Sequence, residues 1–72
     1  MTIEEKLGMA IMIRRRQQLI SQDDFARKAG ITRSYMSRIE NGKCIVSVAV
    51  IEKCAKTLGI SISELFEDAE KY

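Results

Sequence analysis

The sequence predicts an all-α fold, a compact bundle of five short helices, on three observations. It contains no proline and only four glycines, so chain breaks are few. Apolar residues recur at intervals of three and four, the period of one helix face. Each recurring stretch opens on a serine or threonine, residues suited to satisfy the free amides of a helix start. No segment alternates with a period of two, so no sheet is expected. At 72 residues and 46% hydrophobic content, residues 1–72 are expected to form one domain around one core.

The first helix is expected to begin at Thr2, where Glu5 completes a capping-box spacing, and to end near Gln17 or Gln18. Leu7, Ala10, Ile11 and Arg14 share one face, and Met9, Met12 and Ile13 add apolar surface on another side. The second begins at Ser21, turns Phe25, Ala26 and Ala29 inward, and stops at Gly30. The third begins at Thr32, carries Tyr35, Met36 and Ile39, and ends at Asn41-Gly42. The fourth begins at Ser47, with Val48, Ile51, Cys54, Ala55 and Leu58 as its stripe and Gly59 as its stop. The fifth begins at Ser61, paired in capping-box spacing with Glu64, and places Ile62, Leu65 and Phe66 on its apolar side.

Composition excludes several chemistries. There is no histidine, and Cys44 and Cys54 alone cannot supply four zinc ligands, so no metal and no cofactor are expected. Cys54 falls on an apolar stripe and reads as a small buried hydrophobe; Cys44 falls in a connection and reads as partly exposed. No glycine-rich phosphate loop and no paired-carboxylate site point to an enzyme. Asp23 and Asp24 read as helix-start acids favoured by the dipole. No small-molecule ligand is evident. The longest apolar run, residues 9–13, is too short to cross a bilayer, and Glu4 and Glu5 precede it, so neither membrane nor secretion is expected. The expected location is the cytoplasm.

The net charge of +2 is unevenly spread. Residues 1–43 carry nine Lys/Arg against five Asp/Glu, and residues 44–72 carry three against five. The first part has the charge that a phosphate surface needs, and the second is expected to point away from it. Arg14, Arg15 and Arg16 form a basic run, readable either as a solvated face or as phosphate contacts. Arg27 and Lys28 leave the same two readings open.

Only Gly30 and Ile31 separate the second helix from the N-cap of the third, and so short a connection makes residues 21–42 a helix-turn-helix. Ala26 is small where the helices should cross, and Ile31 can plug the core below the turn. The outer side of the third helix carries Arg33, Ser34, Ser37 and Arg38 near its start or one turn on. In this position such side chains reach base edges in the major groove of double-stranded DNA. Arg33 can present its guanidinium fork to guanine, and the serines can each exchange one hydrogen bond. Tyr35 reads equally as a contact to a thymine methyl or phosphate and as a ring packed at the edge of the core.

The run SQDDFARKAGITRSYMSRIENGK resembles the helix-turn-helix of the lambda-repressor-like (Cro/CI, or Xre) regulators. The flanking IMIRRRQQLISQ and VSVAVIEKCAKTLGISISELF are similar to that family's first, fourth and fifth helices, so the resemblance spans roughly residues 7–67. ITRSYMSRIENG is most similar to short regulators such as the controller proteins of restriction–modification systems. The resemblance implies a five-helix lambda-repressor-like DNA-binding domain. It implies that Arg33, Ser34 and Arg38 read bases. It further implies that Gln22 grips a phosphate with help from its backbone amide, and that Asn41, Gly42 and Lys43 clamp the backbone on the far side; Ser21 and Thr32, at the starts of the second and third helices, are expected to bind phosphate as well. Arg15 and Glu40 match an ion pair joining the first helix to the third. Two positions depart from the family pattern. Leu19 stands where glycine is frequent and resists a left-handed backbone, so the first turn is expected to differ. Val46 stands where proline is frequent, so that connection is expected to be less rigid.

One recognition helix reads few base pairs, so a homodimer on a near-palindrome is expected, with half-sites about one helical turn apart. Its surface is expected within residues 47–72, from Val50, Ile62, Leu65 and Phe66, each of which has core packing as its other reading. Whether such a regulator represses or activates depends on where its site lies and on any contact with RNA polymerase. The alternative function is an antitoxin or other protein-interaction module that also binds DNA.

Overall fold

A computed structural model describes all 72 residues, Met1–Tyr72, as five helices: α1 (Ile3–Gln17), α2 (Gln22–Ala29), α3 (Arg33–Glu40), α4 (Val48–Leu58) and α5 (Ile62–Glu70). Every start follows one device. Thr2, Ser21, Thr32, Ser47 and Ser61 take extended backbone angles, and each side-chain oxygen accepts from the amide three residues on. At Thr2 and Ser61 the glutamate three residues later reaches back to the cap amide, closing a full capping box. Those bonds to Thr2 hold the Glu5 carboxyl below its ordinary range.

The helix ends share a device as well. After α2, Gly30 turns left-handed at φ 74° and the Ile31 amide donates back to the Ala26 carbonyl at 2.9 Å. Ile31 then packs against the core, as its position under the turn predicts. The end of α1 repeats this geometry without glycine. Leu19 sits at φ 59°, and the Ile20 amide donates to Arg15 O at 3.2 Å. The expectation that leucine would change this turn is therefore corrected. The left-handed angle costs a leucine about 1–2 kcal/mol, and burial of Ile20 with two satisfied carbonyls opposes that cost.

The core is built from all five helices. Phe25, Ile11, Met36, Ile39, Leu65 and Cys54 are its largest fully buried side chains. α1 runs along α5 and packs across α3, and α2 packs against α3 and α4. Ala26, at 1% exposure, lets α2 approach its neighbours closely. Cys54 is buried and Cys44 only partly so, and both are free thiols.

Leu65 is corrected relative to its place in a dimer surface. It is fully buried with Ala69, one turn on, along the inner side of α5. Its reach is spent within the chain. Val50, Ile62 and Phe66 remain partly exposed at the margin of the core. No helix is long and apolar enough to cross a membrane.

Candidate nucleic-acid interface

α3 owes its placement to contacts at its two ends and beneath it. At its start, Thr32 Oγ1 accepts from the Tyr35 amide at 3.1 Å. At its finish, Gly42 turns left-handed at φ 66° and the Lys43 amide donates to Arg38 O at 2.9 Å. Gly42 lies so close to α1 that a Cβ there would stand 2.7 Å from Glu5 Cα. Gly8 does the same beneath the helix: a Cβ on it would meet Ile39 O at 2.2 Å. α1 therefore docks backbone to backbone against the last turn of α3. A glycine inside an apolar helical stripe was the available signal for such an approach.

A polar network locks the same end. Arg15 donates from Nε to Glu40 Oε2 at 2.7 Å and from Nη2 to Glu40 Oε1 at 3.0 Å. Its Nη1 donates to the Ile20 carbonyl at 2.8 Å. Gln22 Nε2 donates to Glu40 Oε1 at 3.0 Å. One carboxylate thus holds α1, the start of α2 and the end of α3 together. The bond from Gln22 to Glu40 escaped sequence reasoning, which sent the Gln22 side chain outward only. Because its side-chain amide is tied inward, a phosphate at this end would meet the Gln22 backbone amide, which has no helical partner.

The outer surface of α3 is open. Arg33, Ser34 and Arg38 are exposed, Ser37 is half-buried, and neither arginine has an ion-pair partner. Asn41 Nδ2 donates to Ser37 Oγ at 3.4 Å, leaving that hydroxyl partly engaged. Tyr35 is half-buried against the core. The hydroxyls of Ser21 and Thr32 serve as caps. Asn41 and Lys43 are exposed beyond the end of the helix.

The basic run of α1 is divided by the fold. Arg15 is buried with Glu40, and Arg14 binds Asp68 of α5, with Nη2 donating to Oδ1 at 3.2 Å. These hydrogen bonds hold the Asp68 carboxyl low and the Arg14 guanidinium high. Arg27 pairs with Asp24 on the surface of α2. Lys28 meets Lys53 and Lys56 around an open depression between α2 and α4. Lys28 and Lys56 stand in the last turns of their helices, where cations offset the carbonyl ends.

Comparison with known proteins adds to this geometry. A helix-turn-helix family model matches residues 11–65. The chain belongs to the helix-turn-helix family. This helix-turn-helix protein is 46% identical over 59 residues to control protein C.MunI of Mycoplasma sp, covering 82% of this chain and 80% of that one. It is 39% identical over 57 residues to the HTH-type transcriptional regulator PuuR of Escherichia coli (strain K12), covering 79% of this chain and 31% of PuuR. The restriction–modification controller protein C.AhdI from Aeromonas hydrophila superposes with a TM-score of 0.85 at 35% identity, over 88% of this chain and 96% of that one. ClgR from Corynebacterium glutamicum reaches a TM-score of 0.95 over 99% of this chain and 76% of that one; at 22% identity it speaks for the fold. The protein is a DNA-binding transcription regulator, similar in kind to the controller proteins.

Proposed function

We propose that the protein binds a near-palindromic operator in double-stranded DNA as a homodimer, with α3 in the major groove, and controls transcription from that site. The observation that carries this reading is the contrast on α3. Its inner side and last turn are held by Gly8, Ile39 and the Glu40 network, while Arg33 and Arg38 project outward without internal partners. A helix held this firmly can aim two guanidinium groups reproducibly, which base readout requires.

Arg33 is assigned to a guanine edge, with Ser34, Ser37 and Arg38 reading beside it and Tyr35 at the margin. Ser21 and Gln22 hold a phosphate at the start of α2 through backbone amides, and Thr32 stands at the start of α3. Asn41, Gly42 and Lys43 hold the backbone at the other end. The partly exposed Val50, Ile62 and Phe66 are assigned to the dimer surface. Phe66 borders an apolar groove shared with Ile3, Ile45 and Val46, and Ile45 and Val48 are strongly exposed. Burying these side chains between two copies would remove apolar surface from water and present two copies of α3 to successive major-groove faces.

The test is selection of bound duplexes from a random pool, followed by titration and sedimentation of the complex. An inverted repeat with two chains per duplex is expected. Arg33→Ala should lose about 1–3 kcal/mol of discrimination at one base pair in each half-site. Unchanged operator affinity and base preference in Arg33→Ala would refute its role. A complex with one chain per site would refute the dimer.

A further inference from the structure

Arg14, Arg15 and Arg16 are consecutive, yet the fold gives them different environments. Arg14 is held by Asp68 and Arg15 by Glu40. Arg16 is exposed in the last turn of α1, with no ion pair and no side-chain hydrogen bond. The Leu19 amide donates to the Arg16 carbonyl at 3.0 Å, so the two residues share one turn. Leu19 is the only non-glycine residue with positive φ, and its side chain is 93% exposed. It accepts backbone strain and gains no packing in return. Ile20 and the two carbonyl bonds offset the backbone cost of the turn, but the exposed leucine side chain itself does nothing inside the fold.

What lies next to this turn narrows the choice of partner. Ser21, the N-cap of α2, is two residues beyond Leu19, within roughly 7 Å along the chain. Under the function proposed above, on which this inference rests, the start of α2 faces a DNA phosphate. A strand of DNA presents alternating phosphate oxygens and carbon-rich deoxyribose. An unpaired guanidinium beside an uncovered leucine matches that alternation. We propose that the α1–α2 turn is a further contact to the DNA backbone, with Arg16 on a phosphate and Leu19 against the adjoining deoxyribose.

The test uses the full chain with Arg16→Gln, Leu19→Gly and Leu19→Met. Each is titrated by fluorescence anisotropy onto a duplex recovered by selection and onto an unrelated duplex, over a range of salt. Arg16→Gln should flatten the slope of log affinity against log salt by about 0.9 for each chain bound, and weaken binding about fivefold. Leu19→Gly should leave that slope unchanged and weaken binding about fivefold, the effect of uncovering roughly 40 Å² of apolar surface. Its thermal midpoint should rise, because glycine accepts the left-handed angle. Leu19→Met should retain the parent affinity. Both losses should also appear on the unrelated duplex, because backbone contacts carry no sequence information. An unchanged salt slope in Arg16→Gln, or parent affinity in Leu19→Gly, overturns the proposal while leaving DNA binding intact. If the parent chain selects no duplex at all, the underlying function falls instead.

Discussion

The guanidinium of Arg15 and the carboxylate of Glu40 meet fork to fork, through bonds of 2.7 and 3.0 Å, with each side chain less than a tenth exposed. Every polar atom of the pair that is buried has a partner. Removing one member strands the other charge in the interior, so Glu40→Ala should cost about 3–5 kcal/mol. A chain of this length has a total stability of about 4–11 kcal/mol, so the variant should lose a large share of it. Glu52 is exposed and unpaired, and Glu52→Ala should stay within about 0.5 kcal/mol of the parent. Urea denaturation of both variants checks this, and equal midpoints would remove the claim.

Gly8 and Gly30 separate two different reasons for glycine. A Cβ on Gly8 would stand 2.2 Å from the carbonyl oxygen of Ile39, and backbone cannot rotate aside as a side chain does. Gly8→Ala should therefore push α1 off α3 and cost about 3 kcal/mol or more, despite alanine's better helix propensity. At Gly30 a Cβ meets nothing, and only the positive φ opposes substitution. Gly30→Ala should cost about 1–2 kcal/mol. Thermal unfolding that ranks the two in the reverse order would contradict the packing assigned to α1.

The Arg14–Asp68 contact should contribute an acid limb to the stability curve. The hydrogen bonds from Arg14, then the charges of Arg14 and Lys71, hold the Asp68 carboxyl below its ordinary value of 3.8. A carboxyl depressed in the folded state stabilises above its unfolded pKa, and that contribution is lost as pH falls through the folded value. At neutral pH Asp68→Asn should lose about 1 kcal/mol or less, because Arg14 is 31% exposed and solvent screens the pair. Parent and variant stabilities should converge in acid below 3.8. A difference that persists there would show that shape, not charge, sets the effect.

Cys54 should produce an alkaline limb. Burial, with the Glu40 charge adding to it, pushes its thiol from 9.0 to about 11. Here the folded state holds the proton more tightly. The contribution is complete below the unfolded value and declines as pH rises from about 9 toward about 11, by roughly 2–3 kcal/mol in all. The difference between parent and Cys54→Ala isolates this from lysine and tyrosine titration. In the same molecule Cys44 should react freely with a thiol reagent, and Cys54 only at the rate of chain opening. Comparable rates for the two thiols would place Cys54 nearer the surface than its zero exposure implies.

Much of this architecture is legible locally. All five N-caps are readable because each is an oxygen bonded to an amide three residues away. The stripe of α4 is readable for the same reason of short range from Ile51 through Cys54 and Ala55 to Leu58, whereas Val48, which opens it in the sequence, is left strongly exposed because no neighbouring helix covers the start of α4. Leu19 shows where a local rule misleads. Its resistance to positive φ is real, and it is overridden because Ile20 must enter the core from that turn. Arg14 shows another limit. Its partner Asp68 lies 54 residues away, beyond any spacing argument.

By itself, then, the sequence determined five helices, their caps, the two-residue link Gly30-Ile31 and the polar outer side of α3, because all depend on bonds and stripes within a few residues. Tertiary structure alone decided that Leu65 fills the core while Ile62 and Phe66 reach the surface, although all three belong to one apolar side. It also decided that Arg14 turns to the Asp68 carboxylate while Arg16 stays free. Helix periodicity says which residues share a face. Which part of that face is covered, and which charge finds a buried partner, depends on where the other helices come to rest.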